Sequence, residues 1–317
     1  MGQSSFNAAV APRRVVDRAV PAPRRRSAEN KQQSDLELKF AALQKDYVDL
    51  HTAIFEAAQV HRRLCAPRLL RYREFEIASE IFAVRHLPGD FFTAEETSDG
   101  VVLALGDICG KGLAAGMWTT QLVGLLRSHT ARAAVPERIV AGVNQDICRM
   151  PMLRPLASLF LAKLDVVTGA LDYCSAGHPP AFLLRANGGF ESLTDGGLLL
   201  GVLNDAQYSR GQVRLESKDT LLIFSDGIIE SQNERGEEFG YERLKTQLAS
   251  AQSASADAIL FSVLGAVQDF AAIRPLTDDM TLAVIRRDGV SANVPVNTQS
   301  DGLDGDFTTK TRSHKVQ

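Results

Sequence analysis

The sequence has little net charge and no long apolar run, and each shortage argues against a class of protein. Its 317 residues carry 35 basic and 38 acidic side chains, a formal net charge of −3. A dedicated nucleic-acid-binding protein is usually clearly basic, so we expect no nucleic-acid partner. No apolar run approaches the roughly 18–20 residues that a membrane-spanning helix needs, so we expect no membrane span.

Cysteine is also scarce. The four cysteines form no C-x-x-C pair, which argues against a zinc cluster and a thioredoxin-like motif. Four cysteines in a chain of this length do not make a disulfide scaffold. The first residues lack the pattern of an export signal, so the sequence predicts a cytoplasmic protein with reduced thiols.

Both ends of the chain have few large apolar residues. Residues 1–33 contain seven basic side chains, two acidic ones and three prolines, and residues 288–317 show no periodicity. Such segments cannot bury enough apolar surface to offset the entropy that ordering would cost. The sequence therefore predicts a disordered basic arm over 1–33, either solvated or in contact with an anionic partner, and a disordered tail over 288–317.

A regular apolar repeat follows the arm. Its members alternate in steps of four and three residues: Leu36, Phe40, Leu43, Tyr47, Leu50, Ile54 and Ala57. This heptad pattern is typical of a coiled coil. We predict a helical linker over 34–66 that forms a homodimer through residues 36–61, with packing of the helix on its own domain as the alternative.

The remaining chain alternates between strand-like and helix-like segments. The predicted strands are 75–84, 101–106, 158–164, 170–174, 181–185, 213–215, 220–224 and 281–286. The predicted helices are 113–130, 136–150, 241–249 and 256–272. Several neighbouring strands are separated by short turns, which indicates antiparallel pairing. The predicted fold class is therefore α+β, in one domain over 67–287.

Acidic residues lie at or beside the ends of several predicted strands. Asp90, Asp107 and Asp226 each have a glycine next to them, and the pair Asp278-Asp279 directly precedes a strand. A half-buried carboxylate is costly unless a cation or a donor meets it. Ligands that offer only oxygen favour Mg²⁺ or Mn²⁺. Any single Asp-Gly pair could equally be a common turn.

Seven segments in a fixed order carry a family resemblance. They are residues 56–64, 87–92, 106–112, 175–180, 200–202, 219–243 and 278–281. Together they resemble the SpoIIE/RsbU-type branch of the metal-dependent protein serine/threonine phosphatases (PPM superfamily). The resemblance covers residues 56–287 and implies a four-layer α/β/β/α sandwich, in which two antiparallel sheets are flanked by helices and preceded by the coiled-coil helix.

The resemblance also implies a site for two Mn²⁺ or Mg²⁺ ions. The implied ligands are Asp90, Asp107, the Ile108 carbonyl, Asp226, Asp278 and, ranked after it, Asp279. Asp107 and Asp226 would be the catalytic pair, with Asp107 bridging both ions. Arg85 would bind the substrate phosphate through its planar guanidinium, unless it is only a surface arginine.

Three positions depart from the family pattern, namely Pro88, Thr93 and Cys109, and none is an implied ligand. Cys109 could make the activity sensitive to oxidants, although inert packing is the favoured interpretation. His178 lies in a Gly-His-Pro-Pro turn. We expect it to fix that turn rather than to act as a general acid.

The implied reaction is hydrolysis of phosphoserine or phosphothreonine on a regulatory protein, an anti-sigma-factor antagonist in a bacterial partner-switching pathway. A non-catalytic module that captures a phosphoprotein or regulator is the competing hypothesis. All four acidic positions are filled, which favours the enzyme. The glycine-rich run 106–112 lacks the spacing of a nucleotide-binding P-loop.

Overall fold

A computed structural model describes residues 23–65, 68–151 and 155–288, with side chains from residue 31 onward. The chain divides into two units, Met1–Ile54 and Phe55–Gln317. The elements in chain order are α1 (Pro23–Cys65), β1 (Leu69–Tyr72), β2 (Phe75–Phe82), β3 (Phe91–Thr97), β4 (Gly100–Ile108), α2 (Leu113–Thr130), α3 (Pro136–Cys148), β5 (Ala157–Leu164), β6 (Ala170–Ala176), β7 (Ala181–Leu184), β8 (Phe190–Leu193), β9 (Gly196–Gly197), β10 (Gly211–Arg214), β11 (Thr220–Phe224), α4 (Asp226–Ile229), α5 (Gly240–Ser250), α6 (Ala256–Ala271) and β12 (Met280–Arg287).

Helix α1 begins at Pro23, inside the segment that the sequence predicts as a disordered arm. Proline suits the first turn of a helix, and residues 24–33 contain neither glycine nor a second proline to stop it. The predicted boundary between arm and helix at residue 33 is therefore wrong. Residues 1–22 of the predicted arm, and the predicted tail beyond Asp288, lie outside the described residues.

Two six-stranded sheets form the framework of the second unit. One has the strand order β1-β2-β12-β11-β7-β8, and the other has the order β10-β6-β5-β4-β3 with β9 beside β6. Neighbouring strands are antiparallel, apart from the short parallel pair of β6 with β9. The predicted pair of antiparallel sheets is confirmed.

The sheets stack face to face with helices on their outer surfaces. On β4, Val101, Leu103 and Leu105 point into the core between the sheets. Val102 and Ala104 point the other way, into the layer of α2 and α3, because successive side chains of a strand lie on opposite faces. A third apolar cluster joins the other sheet to α5 and α6. The predicted four-layer sandwich is therefore confirmed.

The helices offer no candidate membrane span. Of those in residues 23–65, 68–151 and 155–288, none combines the length and the apolarity that crossing a membrane needs.

Candidate active site

Strand register brings the predicted acids together in pairs. Phe91 at the start of β3 lies opposite Gly106 near the end of β4, so the neighbouring residues Asp90 and Asp107 lie side by side. In the other sheet the end of β11 pairs with the start of β12. The turn that carries Asp226 therefore meets the segment that leads into β12.

A hydrogen bond links the two sheets at this edge. Thr281 Oγ1, on β12, donates to Asp90 Oδ2 at 2.6 Å. Asp90 is only 1% exposed, so its carboxylate needs such a donor. Thr281 itself is held by the residue that follows β11, since its N–H donates to Ser225 Oγ at 2.9 Å. This connection joins the acids of one sheet to those of the other.

The carboxylates raise one another's pKa values. Burial, and then the charge of Asp107, raises the pKa of Asp90 well above its usual range. Burial raises the pKa of Asp107 to about 6, with further contributions from Asp226 and Asp278. Burial and Asp278 also raise the pKa of Asp226. A divalent cation at this edge would offset the repulsion that these shifts report.

Lys111 supplies one positive charge to the cluster. Its Nζ lies 2.9 Å from Asp278 Oδ2 and donates to the Thr277 carbonyl at 2.5 Å. The pair is partly exposed, with side-chain exposures of 38% for Lys111 and 43% for Asp278. An ion that used Asp278 as a ligand would compete with this ammonium group.

The donors present suit a hard divalent cation. A Cβ added at Gly89 would lie 3.0 Å from the Ile108 carbonyl oxygen and 3.3 Å from Asp107 Oδ1. These two predicted ligand atoms therefore face the same small space, and both are oxygens of the kind that Mg²⁺ and Mn²⁺ prefer. Within residues 68–151 and 155–288, however, no three His, Cys, Asp or Glu side chains close around a single point as a complete ligand set.

Both carboxylate oxygens of Asp279 accept backbone N–H groups, while its charge still contributes to the raised pKa values of Asp90 and Asp107. Its Oδ1 accepts the N–H of Val84 at 2.7 Å, and its Oδ2 accepts the N–H of Gly89 at 2.8 Å. It is 6% exposed. The two consecutive acids thus have different surroundings, because Asp278 contacts Lys111 at the surface while Asp279 is buried against the backbone.

Arg85 and Cys109 lie on the two loops that flank the acids. Arg85 is exposed, and its side chain lies along Gly112, where an added Cβ would be 3.2 Å from Arg85 Cδ and Nη1. Cys109 is exposed and its thiol is free. Burial of the sulfur, then the charges of Asp107 and Asp226, raise the pKa of the Cys109 thiol. A raised pKa lowers the thiolate fraction and favours the inert interpretation of this cysteine.

The sequence analysis missed the groups that hold these loops. Thr119 on α2 is fully buried, and its Oγ1 donates to the Gly89 carbonyl at 2.7 Å. Thr281 and Ser225 connect the sheets as described above. Thr281 and Ser225 lie within segments 278–281 and 219–243, which carry the family resemblance, so the sequence contained a signal for these two residues. Nothing in the local sequence distinguishes Thr119.

Comparison with known families identifies the family of the chain. The model of the family described as Stage II sporulation protein E (SpoIIE) matches residues 97–288. The chain belongs to the SpoIIE family. The predicted class, a SpoIIE/RsbU-type protein serine/threonine phosphatase of the PPM superfamily, is confirmed by this membership together with the fold.

Known relatives agree with the family assignment. The phosphoserine phosphatase RsbU of Bacillus subtilis is 24% identical over 242 residues, which cover 75% of this chain and 71% of RsbU. The SiaA-PP2C domain of Pseudomonas aeruginosa has the same fold, with a TM-score of 0.67 at 17% identity over 76% of this chain and 98% of that domain.

Two further structures with this fold were solved with metal ions. RsbX in complex with magnesium superposes with a TM-score of 0.54 at 16% identity, covering 69% of this chain and 98% of RsbX. The catalytic domain of the serine/threonine phosphatase PstP, in complex with two manganese ions, gives 0.50 at 14% identity, covering 70% of this chain and 99% of that domain.

Proposed function

We propose that this SpoIIE-family chain hydrolyses phosphoserine or phosphothreonine on a regulatory protein, with two Mn²⁺ or Mg²⁺ ions in its site. One observation carries the proposal. Four carboxylates at one edge of the sandwich, Asp90, Asp107, Asp226 and Asp278, interact electrostatically, and burial together with this repulsion raises the pKa values of Asp90, Asp107 and Asp226. Such an arrangement is costly unless cations bind there.

The proposed ligands are those that the family resemblance implies: Asp90, Asp107, the Ile108 carbonyl, Asp226, Asp278 and, ranked after it, Asp279. When bound, paired divalent ions activate water for in-line attack and offset charge on the phosphoryl oxygens. Asp107 interacts electrostatically with Asp90, Asp226 and Asp278, which supports its role as the central ligand. We assign Asp226 as its catalytic partner.

Arg85 is the proposed phosphate ligand. It is exposed and lies beside Gly112, which ends the loop between β4 and α2. That loop carries Lys111 and follows the end of β4 that carries Asp107. A guanidinium there can approach a phosphoester from solvent and bind two of its oxygens. Its exposed position also suits a macromolecular substrate, whose phosphoserine must reach the site from outside.

The identity of the substrate is proposed from the family. RsbU is named a phosphoserine phosphatase, and the SpoIIE/RsbU branch suggests an anti-sigma-factor antagonist as the phosphorylated partner. The metal-containing structures of RsbX and PstP support Mg²⁺ or Mn²⁺ as the cofactor. A comparison of the phosphoproteomes of wild-type and Asp226→Asn cells would identify the substrate, as a protein whose phosphoserine or phosphothreonine accumulates in the variant.

A direct assay tests catalysis. Purified protein should hydrolyse p-nitrophenyl phosphate when Mn²⁺ is added, and Asp107→Asn should abolish this activity. Asp205→Asn, in an exposed loop, is the matched control and should retain it. If the wild-type protein is inactive with Mn²⁺ and Mg²⁺, while Asp107→Asn still binds its partner, the chain is a binding module and the proposed catalysis is wrong.

We also propose a homodimer through residues 36–61. In the single chain the seam residues other than Ile54 are solvent-exposed, with exposures of 68% at Leu36, 66% at Leu43 and 60% at Leu50. A helix with an apolar stripe of this length needs a partner, and the heptad spacing fits a second copy of the same helix.

A further inference from the structure

Asp279 occupies a junction between the loops of the site. Its two carboxylate oxygens accept backbone N–H groups from the two ends of one loop, Val84 at 2.7 Å and Gly89 at 2.8 Å. That loop joins β2 to β3, carries Arg85, and leads directly into Asp90. One buried side chain therefore fixes both ends of the segment that presents the proposed phosphate ligand and one proposed metal ligand.

The backbone of Asp279 is packed just as closely on its other side. A Cβ added at Gly227 would lie 2.0 Å from the Asp279 carbonyl oxygen, so only glycine fits at that position. Ser225 Oγ also donates to this carbonyl at 3.5 Å. Residues 225 and 227 flank Asp226, so the main chain of Asp279 is in contact with the turn that carries the second proposed catalytic acid.

Gly89 connects the same junction to the Asp107 loop. Its N–H is held by Asp279, and its carbonyl accepts Thr119 Oγ1 at 2.7 Å and the N–H of Ile108 at 3.3 Å. Both polar groups of this residue are thus used. Loss of the Asp279 bond would leave the Gly89 N–H unsatisfied in a buried site and would free one side of the peptide that precedes Asp90.

The geometry points to different roles for the two consecutive acids, Asp278 and Asp279. We propose that Asp279 is a positioning residue, which holds the loop of residues 84–90 against the turn of Asp226, and that only Asp278 is a metal ligand. The two hydrogen bonds from the Val84 and Gly89 N–H groups to Asp279, called the Asp279 clamp below, exist independently of catalysis. The effect of this clamp on turnover rests on the function proposed above for Arg85 and Asp90.

The first experiment measures the strength of the Asp279 clamp in the absence of metal and substrate, so its result does not depend on catalysis. Hydrogen exchange of the metal-free protein is read residue by residue by NMR for wild type, Asp279→Ala and Asp279→Asn, with Asp278→Asn as the matched control. We expect exchange at the Val84 and Gly89 amides to accelerate about tenfold or more in Asp279→Ala, because local opening no longer breaks a hydrogen bond there. Asp278→Asn should leave both amides unchanged.

Asp279→Asn makes the test robust if the alanine variant does not fold. Asparagine retains one acceptor oxygen but presents an NH₂ group to the other amide, so exchange should accelerate at one of the two positions and stay slow at the other. Unchanged exchange at Val84 and Gly89 in every Asp279 variant that folds would overturn the proposal. This result would stand whether or not the protein proves to be a phosphatase.

Kinetics supply a second readout. If Asp279 acts through the loop, Asp279→Asn should raise KM for a phosphoserine peptide by about tenfold, as should Arg85→Ala, with a smaller change in kcat. Asp278→Asn should instead shift the Mn²⁺ concentration that gives half-maximal activity. An Asp279→Asn variant that reproduced the Asp278→Asn profile, with an unchanged KM, would assign Asp279 to the metal ligands.

Discussion

His178 Nδ1 lies 2.8 Å from Ser158 Oγ, and Ser158 is the cross-strand partner of Asp107. The histidine ring is 8% exposed, and its Nε2 has no hydrogen-bond partner among the described residues. Burial lowers the pKa of His178 to about 3. The ring is therefore neutral in the folded protein at neutral pH, which supports a role in fixing the turn rather than a role as general acid.

This buried histidine should make the fold sensitive to acid. Its folded pKa of about 3 is below the ordinary value of 6.5 that applies when the chain is unfolded. Below pH 6.5 this histidine is therefore protonated in the unfolded chain but stays neutral in the folded protein, and the free energy of unfolding falls as the pH drops. The slope for one such group is about 1.4 kcal/mol per pH unit, or about 2 kcal/mol between pH 7 and pH 5.

Urea unfolding at pH 7 and pH 5 checks this expectation. His178→Gln should be less stable than wild type at pH 7 and should lose about 2 kcal/mol less between the two pH values. Gln207→Asn, at an exposed position, is the control and should follow the wild-type dependence, because it changes no titratable group. Equal pH dependence in all three proteins would mean that the His178 ring is protonated in the folded state.

Asp107 should have the opposite effect on the metal-free protein. Burial and neighbouring acids raise its folded pKa to about 6, above its ordinary value of 3.8. The folded state then binds more protons between these values, so this group adds stability as the pH falls from 6 to 3.8 and destabilises the fold at pH 7. We expect metal-free Asp107→Asn to be more stable than wild type at pH 7, by an amount on the order of 1 kcal/mol.

With added Mn²⁺, wild type should become more stable than Asp107→Asn, which reverses the order expected for the metal-free proteins. A cation that binds only the folded state stabilises it, so wild type should gain melting temperature with added Mn²⁺ while Asp107→Asn gains little. Asp205→Asn should respond as wild type does. If metal-free Asp107→Asn is less stable than metal-free wild type, burial and the neighbouring acids do not destabilise the ionised Asp107 carboxylate.

Lys111 competes with a cation for Asp278. Its ammonium group lies 2.9 Å from Asp278 Oδ2 in a partly exposed pair, and such pairs contribute at most about 1 kcal/mol. Lys111→Gln should therefore strengthen Mn²⁺ binding by about threefold to fivefold, as measured by calorimetry. Lys245→Gln, in a helical ion pair with Glu242 on α5, is the control. Weaker Mn²⁺ binding in Lys111→Gln would mean that the lysine supports the ions rather than displacing them.

The sequence predicts most of this fold because most strands are buried on at least one face. The side chains of β4 enter two cores in turn, so both faces are apolar and the strand stands out in the sequence as a short continuous apolar run. Strand β3 is not predicted, since only its first residues are apolar and its later part, which includes the consecutive acids Glu95 and Glu96, resembles a loop in the sequence. The first turns of α1 carry no apolar signal either, so hydrophobic periodicity cannot detect them.

The site shows a similar limit. The order of the motifs predicts that Asp90, Asp107 and Asp226 come together, and the sequence places Asp107 and Asp226 at the ends of recognisable strands. It does not separate Asp278 from Asp279. Which of two consecutive side chains turns toward the β2–β3 loop depends on the approach of β12 to β2, and this tertiary relationship leaves no mark in the local sequence.

The seam of α1 leads to a final prediction. Leu43 and Leu50 are 66% and 60% exposed in the single chain, and both occupy the same heptad position. Lysine at both sites would place like charges in the dimer contact, so we expect the double variant Leu43→Lys with Leu50→Lys to be monomeric and altered in phosphatase activity. The matched control is Ala42→Lys with Asp49→Lys, because these residues lie on the outer face of the same two heptads.

Light scattering coupled to a sizing column distinguishes the outcomes: a monomer for the seam variant and a dimer for the control support pairing through α1. A dimer that survives the seam substitutions places the contact elsewhere, and a wild-type monomer means that the exposed stripe has a different partner.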